Sequence, residues 1–576
     1  MLASNAIPAG RRASSKAGPL CLILMGSIVA ACSSDSTAPA PKPVAVNCTA
    51  QPILDLSPGD HAVIDPAATN DCLRLPAAGA QGAEYLVVGL STTGEVTASG
   101  IAAPFRLASW ADTPATAMAA RSEEQVPASE ELASPAARFH AMLRARGRSL
   151  ARQALLYRAA AAPRVNAAPP ALGSTHNFQV CGDANCNGFV TVTATAVHVG
   201  PHNVIYLDNA APAGGYSTDE LDRLGGLFDE YMYPIDTTAF GRETDIDGNG
   251  AVDILLSPAV NHLSGNCNAT NSVIGGFFFP DDLLPGSAGS NAAEVFYGLV
   301  PNPNSTTCTI SHAFASDLLG PTFLHEFQHM ISFGRHVLLP PVPSDPEDNW
   351  LDEGLSRFAE ELGGREIPDS FCTPRACSSQ FPNGDLYNAF TYLDKTKLEA
   401  TPLIEPGNVD GTLANNGANW LFVRWLADHF ATDSILGTSL TRALDGADAA
   451  DGTVLIGSSN VATTTGADFS TLIGEWQMAN YLTALVGFSE PTGRLRYKSI
   501  DLGAIYRTAF GYYPLIPDST ATLRYSHTGV LKPGSGRHLL IVEGPSAQAE
   551  DLSLTDPYGA ALDPSLIARF AITRIR

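Results

Sequence analysis

The 576-residue sequence predicts an α+β fold, and three observations carry the expectation. Apolar residues recur at helical spacing over 321–333 and 349–361, and again over 419–430 and 468–485. Short β-branched runs precede those helices, at 190–197, 203–207 and 294–300. Further β-like runs, broken by Gly, Pro and Asn, fill both ends of the chain, before residue 110 and from about Tyr497 to Arg576. The expected architecture is a two-lobed domain over 176–495, a mixed sheet followed by helices, flanked by small β-rich segments at 47–110 and 496–576.

At the start, Arg11, Arg12 and Lys16 precede a short apolar run that ends at Cys32. A charged start, a brief apolar core and small residues before the cut predict an export signal over 1–31, too short for a membrane span. Val29-Ala30-Ala31-Cys32 resembles the bacterial lipobox, which implies lipidation of Cys32 and a membrane anchor. Ser33 and Ser34 beside it resemble the arrangement that sends such lipoproteins to the outer membrane; simple cleavage after an Ala is the alternative. Residues 32–46, rich in Ala, Pro and Ser, form a tether.

Setting aside Cys21 and Cys32 leaves eight cysteines, an even number in an exported chain, which predicts disulfides. Local closure suggests Cys48 with Cys72, Cys181 with Cys186, Cys267 with Cys308 and Cys372 with Cys377. A net charge of −24 argues against a nucleic-acid partner, because phosphate contacts need clustered Lys and Arg.

Residues 111–175 turn to Ala, Arg and Pro. A helix is expected within 134–158, with Phe139, Met142, Leu143, Leu150 and Leu155 on its apolar side and six arginines elsewhere, Arg144 and Arg146 among them. A basic helix in an acidic protein has three readings: a solvated linker, an inhibitory prosegment docked on the acidic domain, or a helix for an anionic membrane. Farther on, Ser217-Thr218-Asp219-Glu220 is a capping box opening a helix with Leu221, Leu224, Leu227, Phe228 and Tyr231 on its apolar side. Asp245, Asp247, Asn249 and Asp253, interspersed with glycines, offer oxygen ligands at alternate positions and suit Ca²⁺. Position 12 of such a loop, normally a bidentate Glu, is Leu256, so the site would be completed elsewhere; a plain turn is the alternative.

His325-Glu326-Phe327-Gln328-His329 lies in the 321–333 segment, where Phe323, Leu324, Phe327, Met330 and Ile331 are apolar at helical spacing. Four residues apart, the two histidines share a face and can hold one ion, with Glu326 at its open side. The plainer alternative is a pair of core histidines satisfied by hydrogen bonds. A catalytic zinc needs a third protein ligand. Arg335 and Ser332 stand where the metzincin pattern has its third His and its Gly, and Gly334 and His336 are out of register. Glu353, near the start of the next helix, completes a two-His, one-Glu set.

HEFQHMISF followed by WLDEGLSRFAEEL resembles the gluzincin metallopeptidases, and most closely the secreted bacterial hyicolysin family. The resemblance covers roughly 176–490 and is specific over the two helices. It implies His325, His329 and Glu353 as zinc ligands, Glu326 as general base, and Glu360 as a carboxylate orienting a ligand histidine. It also implies that the strand at 294–300 is a sheet edge pairing with extended substrate, and that the C-terminal lobe supplies a Tyr or His to the oxyanion, with Tyr387, Tyr392 and His429 as candidates. Two features depart from the pattern. Glu353 follows His329 by 24 positions, across a Pro-rich insert, and Arg357 stands where thermolysin-like enzymes have a supporting Asp. The implied activity is exported zinc endopeptidase on protein or peptide substrates. The alternatives are an aminopeptidase, although its GxMEN segment is absent, and a surface binding lipoprotein with a vestigial zinc site.

Overall fold

The computed structural model describes residues 44–45, 47–94, 102–111, 134–154, 170–341 and 344–576, the last stretch apart from 374, 406, 408–410, 434–435, 448–453 and 522–523. The expected signal, Cys32 and most of the tether lie outside the described residues. Six strands come first: β1 (Val44–Ala45), β2 (His61–Ile64), β3 (Cys72–Arg74), β4 (Ala83–Ser91), β5 (Ala103–Ala108) and β6 (Trp110–Ala111). Then follow β7 (Thr175–Cys181), β8 (Phe189–Val199), β9 (Asn203–Asp208), β10 (Val252–Leu256), β11 (Gly276–Phe278) and β12 (Val295–Gly298). The last five are β13 (Asp518–Thr520), β14 (Ser526–Leu531), β15 (Gly536–Glu543), β16 (Asp551–Thr555) and β17 (Ala568–Arg574). The helices that matter below are α1 (Pro135–Ala151), α2 (Thr218–Leu227), α3 (His312–Phe333), α4 (Asn349–Glu366), α5 (Leu413–Phe430), α6 (Phe469–Leu482) and α7 (Leu502–Phe510). Among the described residues no helix is long and apolar enough to cross a membrane.

The strands from β7 to β12 form a six-stranded mixed sheet in the order β11-β12-β10-β9-β8-β7. Its centre is parallel, β9, β10 and β12 running together, and β11 runs against β12. The strand at 294–300 is therefore interior, and the edge belongs to β11. The three residues of β11, Gly276–Phe278, are too few to show an alternating pattern, so the edge strand has no signature in the sequence. The capping box at the start of α2 forms as expected.

α3 runs for 22 residues with Pro321 inside it. A proline removes the N–H that would bond the carbonyl four residues back. That carbonyl, of Asp317, accepts instead from the Gln380 side-chain amide at 2.7 Å, so the helix passes through. Gly334 does not stop it: the chain continues as a π turn over Gly334–Leu338. A Cβ at Gly334 would meet the Thr244 methyl at 3.1 Å, so the glycine serves close packing. α4 packs on α3 and on α5, and Gly354 lets α5 approach: a Cβ there would lie 2.9 Å from the Asn419 carbonyl.

The two β-rich ends, read from the sequence as separate segments, interleave in one two-sheet sandwich. One sheet runs β13-β15-β4-β17-β2 and the other β14-β5-β16-β3, so each sheet takes strands from both ends of the chain. β4 is central, between β15 and β17. Tyr85 and Val87 face the sandwich core, while Leu86, Val88 and Leu90 face the large core shared with the helices. Burial on both faces explains an unbroken apolar run where a half-buried strand would alternate. The stretch after Tyr497 is not wholly β-like: α7 precedes the last strands, capped by Asp501, with Gly511 in the left-handed conformation at its end. Four disulfides close as local spacing suggested, Cys48–Cys72, Cys181–Cys186, Cys267–Cys308 and Cys372–Cys377.

Candidate metal centre

α3 presents His325 and His329 on one face and α4 brings Glu353 against them. The two Nε2 atoms lie 3.1 Å apart, and the Glu353 oxygens lie 3.6 Å from His325 Nε2 and 3.5 Å from His329 Nε2. Ligands held at zinc's usual bond lengths and tetrahedral angles stand about 3.4 Å apart. The spacing matches.

The opposite ring nitrogens fix the tautomers. His325 Nδ1 is 2.8 Å from Glu360, and His329 Nδ1 is 2.8 Å from Asp352. Carboxylates only accept, so each Nδ1 carries the proton and each Nε2 points a lone pair inward. Two lone pairs facing at that distance repel unless a cation lies between them. The surrounding charge points the same way: Glu326, Asp352, Glu353 and Glu360 crowd one buried volume in which the Arg144 and Arg357 guanidiniums offset only part of the charge. Burial holds His325 down at about 3. His329 is also pulled down by burial, but the Asp352 charge and hydrogen bond lift it to about 9: with only protons to hand, the acids recruit one onto this imidazole. Two imidazole nitrogens and a carboxylate oxygen are a donor set that fits Zn²⁺.

Glu326 is buried next to this centre at 1% exposure. Its Oε2 accepts from the Phe278 N–H of β11 at 3.0 Å, which sets its orientation. Burial pushes its carboxyl up, yet the surrounding His140, His325 and His329 rings and the Arg144 guanidinium outweigh that and hold it below the usual range. Arg357 sits between Glu353 (3.5 Å) and Asp385 (3.5 Å), so it balances acids at the position where thermolysin-like enzymes have a supporting Asp. An open pocket reaches the centre. His325, Glu326, Glu353, Arg357 and Glu360 line one side, and Ala136, Ala137 and His140 of α1 the other.

The long interval between His329 and Glu353 closes on a buried pair, His336 and Glu347, 3.6 Å apart. Glu347 also takes the Gly457 N–H and the Asn460 amide, so His336 belongs to the loop's anchor and not to the centre. None of the three oxyanion candidates lines the pocket. Tyr387 is exposed, Tyr392 is buried with its hydroxyl on Gln477, and His429 bonds the Arg496 carbonyl at 2.8 Å.

Elsewhere, Asp245 and Asp247 gather with Glu294 as a second group able to hold an ion. Asn249 is bonded within the loop, to Asp247 and to the Ala251 N–H. Asp253 lies on β10 and is not in that group. Sequence reasoning missed Glu294, Asp352, Arg144 and His140 as site neighbours. Asp352, beside Glu353 on the helix start, had a signal available in its position; the others depend on strand order and helix docking.

With this geometry in place, comparison with known proteins is informative. The chain is 32% identical over 155 residues to the neutral metalloprotease ShpI of Staphylococcus hyicus. That stretch is 27% of this chain and spans about a third, 33%, of the relative. No protein-family model matches the chain. The likeness supports a metallopeptidase.

Proposed function

We propose that the chain is an exported zinc endopeptidase of the gluzincin type, similar to the hyicolysin family. The observation that carries the reading is the convergence of two inward Nε2 lone pairs and the Glu353 carboxylate, with Glu326 alongside. Bound there by His325, His329 and Glu353, Zn²⁺ would lower the pKa of a water toward neutrality and polarise the scissile carbonyl. Glu326, steadied through Oε2 by the Phe278 N–H, has Oε1 for the water's proton and returns it to the leaving amine. Glu360 and Asp352 hold the two imidazoles in register. Extended peptide would lie along the β11 edge, as strand addition requires. Four disulfides fit export to an oxidising compartment, and lipidation at Cys32 would tether the protein to the outer membrane. Ca²⁺ at Asp245, Asp247 and Glu294 would brace the loop before β10.

Casein cleavage by the wild type and by Glu326→Gln, with zinc content measured on both, tests the reading. Cleavage by the wild type alone at equal zinc loading is expected. Equal zinc with equal activity would remove Glu326 as base. Zinc binding with no cleavage by wild type or by variants that loosen α1 would favour the binding-protein reading, and release of single N-terminal residues only would favour the aminopeptidase.

A further inference from the structure

We infer that α1 is a built-in occupant of the cleft, an autoinhibitory helix that must be displaced before substrate enters. The inference rests on the peptidase reading of the centre. Three kinds of contact carry it.

The apolar face is seated on the catalytic lobe. Phe139 is buried edge-on against Phe277 of β11, ring centres 5.0 Å apart. Leu143 is fully buried, and Leu150 and Ala151 enter the core that also holds the α3 side chains. At Gly147 the chain passes Phe333 and Pro280 with room for no more than ordinary contact. A solvated linker would leave such a face wet.

The polar contacts converge on the candidate catalytic groups. His140 Nδ1 is 3.7 Å from Glu326 Oε1, the oxygen not engaged by Phe278. One turn on, Arg144 Nη2 is 3.4 Å from Glu353 Oε1 and its Nε 3.9 Å from Asp352 Oδ2. Residues four apart share a helix face, so one face of α1 addresses both the base and a ligand. Arg144 is itself 8% exposed. Burying a guanidinium is unfavourable unless acids compensate it, and the acids that do so are those of the centre.

A third contact anchors the helix beyond the centre. Arg146 holds Asp281, which follows β11, through Nε at 2.5 Å and Nη2 at 2.9 Å. At the other end the Ala136 N–H donates to Ser272 Oγ at 3.0 Å. The helix thus forms a wall of the pocket, held in place at both ends.

The test uses the full chain, zinc-loaded, as wild type, Arg144→Ala and Arg146→Ala; the second variant cuts the anchor without touching the centre's carboxylates. Affinity for a capped peptide hydroxamate is measured together with hydrogen exchange over 134–151 and cleavage of a quenched peptide. The expected result is tighter hydroxamate binding and faster cleavage in both variants, by about tenfold for each lost charge-assisted pair, and faster exchange of α1 amides when the hydroxamate binds the wild type. Equal affinity in all three chains, with α1 amides still protected in the complex, would overturn the inference and make the helix a linker. That outcome leaves the peptidase reading standing. If no chain binds the hydroxamate or cleaves, the peptidase reading falls and takes the inference with it.

Discussion

Glu360 offers a graded test of the metal centre. It accepts from His325 Nδ1 at 2.8 Å with its side chain 13% exposed, so solvent screens the interaction little. Glu360→Gln keeps an acceptor of the same shape and loses the charge; Glu360→Ala loses both. Removing such an outer partner of a metal-ligating histidine typically weakens metal binding 10–100-fold, or about 1.4–2.7 kcal/mol. The expectation is the lower end for Gln and the upper for Ala. Each apo-protein would be titrated with zinc against a chromophoric chelator, with His325→Ala as reference and circular dichroism to check folding. If Glu360→Ala binds zinc as tightly as wild type while His325→Ala does not, the carboxylate plays no part in presenting the imidazole. Zinc binding unchanged in His325→Ala as well would dismiss the centre itself.

Other expectations lie away from the centre. Glu294→Gln should abolish any rise in Tm that Ca²⁺ gives the wild type; an undiminished rise would place the ion elsewhere. His336 is pulled down by burial, but the Glu347 carboxylate 3.6 Å away lifts it to about 9 from 6.5. Its contribution to stability is therefore fully present below pH 6.5 and is lost as pH rises through 9. Tm measured from pH 6 to 9.5, in a Glu326→Gln background to avoid self-cleavage, should fall less steeply in His336→Gln; parallel slopes would refute the pairing. On loop-closure entropy, losing Cys267–Cys308, separated by 41 residues, should cost about 4 kcal/mol, and losing Cys181–Cys186, separated by 5, about 2 kcal/mol. Denaturant unfolding of the two Ser/Ser variants gives the comparison, and the reverse order would count against the entropic account. Deleting residues 1–175 should yield protein that fails to fold; a soluble, cooperative product would show that the sandwich is dispensable.

What could be read from the sequence was what helix and loop spacing encode. His325 and His329 share a face by periodicity alone, Glu353 lies one helix on, and the short cysteine intervals close on themselves. What could not be read depends on which elements become neighbours in space. Asp352 reaches His329 only because α4 crosses α3 at that level. Glu294 joins Asp245 and Asp247 because β12 lies beside β10, across about fifty residues of chain. α7 is a different kind of miss: Asp501 and Gly511 are cap signals in the sequence, but its Ile and Tyr content resembles that of a strand. Of the oxyanion candidates, Tyr392 is taken up by the core and His429 by the Arg496 carbonyl, while Tyr387 is exposed away from the pocket lining.

The sandwich constrains how α1 can be released. β4 pairs with β15 and β17, strands from the other end of the chain, and buries Tyr85, Leu86, Val87, Val88 and Leu90 almost completely. At about 1.5–3 kcal/mol for each large apolar side chain, that burial is worth on the order of 10 kcal/mol before the entropy of ordering the strand is set against it. The N-terminal strands are thus an integral part of the sandwich. Cutting them away would open both sheets and uncover α6, whose Gly474 lies so close to β2 and β17 that a Cβ would meet Val63 at 2.6 Å and Ala571 at 3.4 Å. Whatever frees the cleft has to act on α1 itself, by displacing that helix from Glu326, Glu353 and Asp281 while the strands before it stay in place. Helix-face substitutions therefore report on latency, whereas N-terminal truncation reports only on folding.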